Sequence, residues 1–167
     1  MVKDLIMLRV CYLLLLMILP LDVEAFECSS APVPEKPSGR EVRVGNAGEL
    51  QRVLRSAESG RIILLKPGVY RLKATLAVRT DNVTLRGNGK ACGDVVLKGA
   101  GMNNPDYGGA PHAIWTNASG LTVQNLTIRD FYQHGIVLNP GAESPTFQNI
   151  RILDTGNIIR SLTIREL

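Results

Sequence analysis

The chain has 167 residues, 45% of them hydrophobic and 20% charged, with a formal charge of +4. That length accommodates one domain with a modest core. The positive balance is compatible with an acidic polymer as partner, but the charges are scattered as on an ordinary solvated surface. Nothing in them points to nucleic acid. None of the three cysteines stands in a C-x-x-C pair, which leaves a zinc or redox site without support.

Taken in chain order, the first segment reads as a leader. Lys3 and Arg9 precede the apolar run Val10 to Leu21, and Val23-Glu24-Ala25 offers small residues for cleavage. The run is short for a membrane span, which needs about 20 residues. Residues 1–25 are therefore expected to be a signal peptide, with an uncleaved anchor as the alternative, and the protein to be secreted or periplasmic. Cys11 then leaves with the leader, and Cys28 and Cys92 remain as a pair that an oxidising compartment allows to join. Residues 26–41, with Pro32, Pro34 and Pro37, read as an extended linker. Residues 42–167 are read as the folded domain.

Val42 and Val44 fit a short first strand. Asn46, with Glu49 three residues on, marks a helix start, and Leu50, Val53, Leu54 and Ala57 share one helical face before Gly60. From Arg61 the pattern is β. Ile62–Leu65, Val69–Tyr70, Leu76–Val78, Val83–Leu85 and Val95–Leu97 are short apolar runs closed by Gly, Asn or Asp. Gly87-Asn88-Gly89-Lys90 lacks the spacing of a phosphate loop and reads as turn glycines.

Beyond residue 111 the chain repeats itself. His112-Ala113-Ile114-Trp115 returns as His134-Gly135-Ile136-Val137, 22 residues on. Leu121 to Asp130 returns as Pro145 to Asp154, 24 residues on. Gly156-Asn157-Ile158-Ile159 fits the slot of His134 to Val137 once more, after which the register is lost. Short β runs at such a period define a solenoid. Stacking would place Val123 beside Phe147, Leu126 beside Ile150 and Ile128 beside Ile152. Thr122 and Gln124 would face outward, and Asn82, Asn125 and Asn149 would form an inward corner ladder. Of the sequons at Asn82, Asn117 and Asn125, two would then be too deeply placed to carry a glycan.

The run Ile62-Ile63-Leu64-Leu65-Lys66-Pro67-Gly68-Val69-Tyr70 and the Asn-apolar-Thr-apolar corners resemble the start of right-handed parallel β-helix proteins of the pectate-lyase-like superfamily. The resemblance covers about Val42 to Ile159. It implies an all-β fold, a right-handed parallel β-helix whose N-terminal end is capped by the amphipathic helix. It also implies a carbohydrate-associated protein, the N-terminal part of a polysaccharide lyase or epimerase and inactive as it stands or active as a lyase. The alternatives are a non-enzymatic surface or structural binding module, or a remnant cut short by a frameshift near residue 157.

Candidate site residues follow from the same stacking. His112 and His134 are placed on adjacent coils as acid, base or metal ligands, with Arg129 as the basic group that a lyase of this kind uses. Asp130 and Asp154 stack as carboxylates whose repulsion a calcium ion would relieve. The insertion Gly99 to Pro111 presents Asp106 and Tyr107 to a groove, joined by Tyr132 and by Trp115 as a sugar-stacking platform. An acidic polysaccharide is the expected partner.

Overall fold

The computed structural model describes residues 39–101 and 108–161, with side chains through residue 156. The leader, most of the linker, Cys28, Asp106, Tyr107 and the loss of register after residue 161 lie outside the described residues.

β1 (Arg40–Val44) leads into the helix α1 (Ala47–Arg55). The Asn46 side chain caps it by accepting from Glu49 N at 2.9 Å, and Glu49 Oε2 reaches back to accept from Gly45 N at 2.7 Å. Leu50 and Leu54 face the core. The helix stops at Ser56, ahead of Gly60, because the Ser56 N–H turns to the Val53 and Leu54 carbonyls. There follow β2 (Arg61–Leu65), β3 (Gly68–Arg71), β4 (Leu76–Val78), β5 (Thr84–Gly87), a 3-10 turn (Cys92–Asp94), β6 (Val95–Lys98), β7 (His112–Thr116), β8 (Thr122–Leu138) and β9 (Thr146–Ser161).

Every strand pairing among the described residues is parallel, and the pairings fall into three series. β1, β2, β5 and the first parts of β8 and β9 form one. β3, β6 and the middles of β8 and β9 form the second. β4, β7 and the ends of β8 and β9 form the third. The result is one mostly parallel sheet curled into a half-barrel, compatible with a solenoid. Parallel neighbours need long connections: β1 and β2 are joined through α1, and from β2 onward each connection is a circuit through the other two series.

The repeat offsets reappear as strand register. Val123 pairs with Phe147, Leu126 with Ile150, Ile128 with Ile152 and His112 with His134. The last slot differs by one residue. His134 pairs with Asn157 rather than Gly156, through a register shift between Phe131 and His134. A Cβ at Gly156 would meet Gln133 O at 2.6 Å, so the irregular step sits where a side chain would not fit.

Inside the curl, Ile63, Leu85 and Val123 form one apolar column, Leu97 and Ile128 a second, and Leu76, Ile114 and Ile136 a third, all at 0% exposure. Each such side chain contributes about 1.5–3 kcal/mol by leaving water. The corners between series bend through left-handed backbone, at Asn125 (φ 52), Asp130 (φ 64), Asn149 (φ 49) and Asp154 (φ 50). Asn and Asp tolerate that conformation better than other side chains.

The asparagine ladder is shorter than the sequence pattern implies. Asn149 Nδ2 donates to Asn125 Oδ1 at 2.8 Å, and Asn125 Nδ2 donates to Gly87 O and Gly89 O, both at 3.0 Å. Asn82 does not take part, because Thr84 pairs with Thr122. That register places Gly87 under Asn125 and Asn82 at the entrance to its strand. Asn82 is exposed and donates to Ser59 Oγ at 3.3 Å. Gly87 fits the corner because a Cβ there would collide with Asn125 O.

Candidate functional site

In a parallel in-register sheet, equivalent side chains line up about 4.8 Å apart along the stack. In the second series Tyr70, Leu97 and Ile128 point inward and are buried. Their neighbours Arg71, Lys98 and Arg129 therefore point outward, and Arg71 pairs with Lys98 and Lys98 with Arg129. Three cations on three successive turns form one line. With Lys73, Arg71 and Lys98 border a groove of about 400 Å³ whose other lining includes Gly99, Ala100 and Gly108. Gly99 keeps the groove floor close to the next turn. Its N–H donates to Arg129 O at 3.0 Å, and a Cβ would collide with Asp130 O.

Arg129, Asp130 and Asp154, selected from the sequence, do meet. Asp130 Oδ2 lies 3.2 Å from Lys98 Nζ and 3.1 Å from Arg129 Nε, and Arg129 NH2 lies 3.3 Å from Asp154 Oδ2. One guanidinium thus bridges the two carboxylates, and a lysine adds a second cation. Calcium takes six to eight oxygen ligands. Two carboxylates already neutralised by Arg129 and Lys98 do not fit that demand. Among the described residues no three His, Cys, Asp or Glu side chains come together in a metal-binding group.

The other candidates sit on the third series. The His112 and His134 rings contact edge to face, with centroids 4.9 Å apart and planes at 75°. Backbone fixes the turn beside them, since Pro111 O accepts from Gln133 N at 3.1 Å. His134 is buried and His112 half-buried. Trp115 is half-buried on the outer face between Ala77 and Val137, and the exposed Arg79 guanidinium lies 4.9 Å from its ring centre. Arg79 thus stacks on the ring expected to serve as a sugar platform. Tyr132 is half-buried at the corner between second and third series. Asp106 and Tyr107 lie outside the described residues.

Arg71, Lys73 and Lys98 were not legible as a cluster. They are separated from one another and from Arg129 by unequal stretches of chain, because the turn before β6 and the insertion after it break the period. The outward polar positions of the first series also differ from expectation. Gln124 is buried at 4% exposure, accepts from Arg86 NH1 at 2.9 Å and donates to Gln148 Oε1 at 2.6 Å. Burial pulls the Arg86 guanidinium below its usual range. Cys92 is fully buried and disulfide-bonded, and the second half of that bond lies outside the described residues.

Comparison with known protein families, with characterised proteins and with solved structures found no match for this chain.

Proposed function

We propose that this protein is an exported, carbohydrate-associated right-handed parallel β-helix protein of the pectate-lyase-like kind. Its leader is residues 1–25, and α1 covers the first turn of the coil. It binds an acidic polysaccharide along the outer ladder Arg71–Lys98–Arg129. The observation that carries the reading is the in-register line Arg71–Lys98–Arg129 beside an open groove; Asp130 and Asp154 pair with Lys98 and Arg129, so the surplus positive charge is that of Arg71 and Lys73 at the groove's border. A regularly charged polyanion meets such a line with one contact per turn, and a neutral glycan gains nothing from it.

Binding without turnover is favoured over lyase action by the state of Arg129. Its guanidinium N–H groups are taken up by two carboxylates, which leaves it badly placed to receive a sugar proton. His112 and His134 remain the candidates for proton transfer if the polymer is cleaved. No step is assigned to calcium.

The test is co-sedimentation or calorimetry with polygalacturonate, alginate and uncharged dextran at low salt. Ultraviolet absorbance is followed in parallel for an unsaturated uronate product. The expected outcome is binding of the charged polymers only, with no product. Replacing Arg71 and Lys98 with serine is expected to weaken binding roughly 5- to 30-fold, from about 0.5–1 kcal/mol per exposed charge contact. Equal binding of dextran, or unchanged affinity in the double variant, would sink the reading. Product formation would replace the binding module with a lyase.

A further inference from the structure

We propose that the space between α1 and β4 is a second binding site, one that takes a small organic anion: a carboxylate or phosphate on a compact apolar body. The site arises where a helix stands in the place of a strand. β4 pairs with β7 on one side, and among the described residues no strand pairs with its other edge. α1 packs there instead, and a helix is too thick and too round to close against a sheet edge as a strand does. The gap that remains is a pocket of about 280 Å³, near the lower end of the range for small-molecule sites.

Its lining divides by chemistry. Gln51, Leu54 and Arg55 share one face of α1, being three and four residues apart, and Leu76, Ala77 and Arg79 come from β4 and the chain just after it. Leu54 and Leu76 are buried and form an apolar floor. Gln51 Nε2 donates to Ala74 O at 3.0 Å, which ties the helix to the chain entering β4. Arg55 and Arg79 are exposed at the rim.

These two arginines differ from the cations of the second series. Asp130 and Asp154 neutralise Lys98 and Arg129, whereas among the described residues no carboxylate pairs with Arg55 or Arg79. The acids that follow them in sequence are engaged elsewhere, Glu58 with Arg40 and Arg61, and Asp81 with Ser119 N at 2.9 Å. Arg79 is also held in place. Its guanidinium lies 4.9 Å from the Trp115 ring centre, so part of the ordering that an anion would demand is already made. A guanidinium carries its N–H groups around its rim, and one lying over a ring keeps them free for two oxygens of a carboxylate or phosphate. The two cations select the anion and the floor selects its body. Neither bare phosphate nor a neutral alcohol meets both demands. The site does not rest on the polysaccharide reading, and it uses no residue of the ladder.

Trp115 is the one tryptophan of the sequence, so its emission reports on the rim directly. The test is titration with cyclohexanecarboxylate and with cyclohexyl phosphate, read by that emission and by calorimetry. Cyclohexanol and inorganic phosphate serve as the uncharged and the bodiless controls. The expected result is saturable binding of at least one of the organic anions, about 10-fold or more tighter than either control. The tighter of the two identifies the oxyanion. Arg55→Gln and Arg79→Gln, checked for folding by circular dichroism, are each expected to weaken binding about 5-fold by calorimetry. The Arg71→Ser, Lys98→Ser double variant is expected to bind the anion as the unaltered chain does. No saturable binding of either anion, a control bound as tightly, or unchanged affinity in both arginine variants overturns the proposal. So does loss of binding in the ladder double variant, which would assign the anion to the groove of the second series.

Discussion

Asn125 carries two requirements at once. Its backbone turns through φ 52 at a corner, and its fully buried amide joins Asn149 to the carbonyls of Gly87 and Gly89. Alanine there leaves the buried Gly87 carbonyl and the partly buried Gly89 carbonyl without their donor and strains the turn. Asn125→Ala is therefore expected to cost about 2–4 kcal/mol in urea unfolding, from an unmade buried hydrogen bond and an unfavourable backbone region. Asn149→Ala, at the partly buried end, is expected to cost less. A loss at Asn149 as large as at Asn125 would contradict this order. Tyr70 supplies the pH dependence. Its hydroxyl lies 2.9 Å from both Val44 O and Lys66 O, and burial, helped by the Glu49 charge, pushes it from 10.0 up to about 12. The folded state thus favours the neutral phenol. The stability this contributes is complete below pH 10 and is lost as pH rises from 10 towards 12. Thermal melts across that window are expected to fall for the native chain and to fall less steeply for Tyr70→Phe.

At the scale of the element, α1 is held by its Asn46 cap and by an apolar face in which Leu50 and Leu54 are the buried side chains. Asn46→Ala is expected to cost about 1 kcal/mol, and Leu50→Ala about 2–5 kcal/mol, because only the second opens a cavity in the core. Denaturant midpoints of the two variants check that ranking. The ladder on β3, β6 and β8 behaves differently, since its side chains point outward, Arg71 exposed and Lys98 and Arg129 half-buried, and their effect is on ligand rather than on folding. Its binding is expected to weaken as ionic strength rises past the point where the Debye length falls to about 8 Å. The salt dependence should flatten in the Arg71→Ser, Lys98→Ser double variant. An unchanged salt dependence in that variant would place the contact elsewhere.

For the whole molecule, the parallel stacking was legible wherever two complete copies of a turn sit next to each other in sequence. Val123 with Phe147 and His112 with His134 are pairs that alignment by eye locates and register confirms. Earlier turns were legible as strands but not as partners. The corner at Gly87 holds no asparagine, and matching Asn82 to Asn125 shifted the alignment away from the observed pairing of Thr84 with Thr122. The basic ladder was hidden for the same reason. Periodicity reveals side chains that recur at equal intervals, and Arg71, Lys98 and Arg129 recur at equal heights but unequal intervals. The stacking also makes a prediction. Duplicating residues 122–145 in frame is expected to give a folded chain with greater β content and a steeper urea dependence, because each turn packs mainly on its neighbours. A duplication that abolishes cooperative unfolding would argue against that modularity.

The Asn125–Asn149 contact has a direction. Each amide gives a hydrogen toward the earlier turn and offers its oxygen to the later one, so the first link must rest on peptide oxygens, as it does at Gly87 and Gly89. Successive dipoles of this sort add head to tail, and polarisation strengthens every member as the row lengthens. The row is therefore polar: a glycine turn can begin it by lending carbonyls, whereas every later member has to bring an amide that both gives and receives.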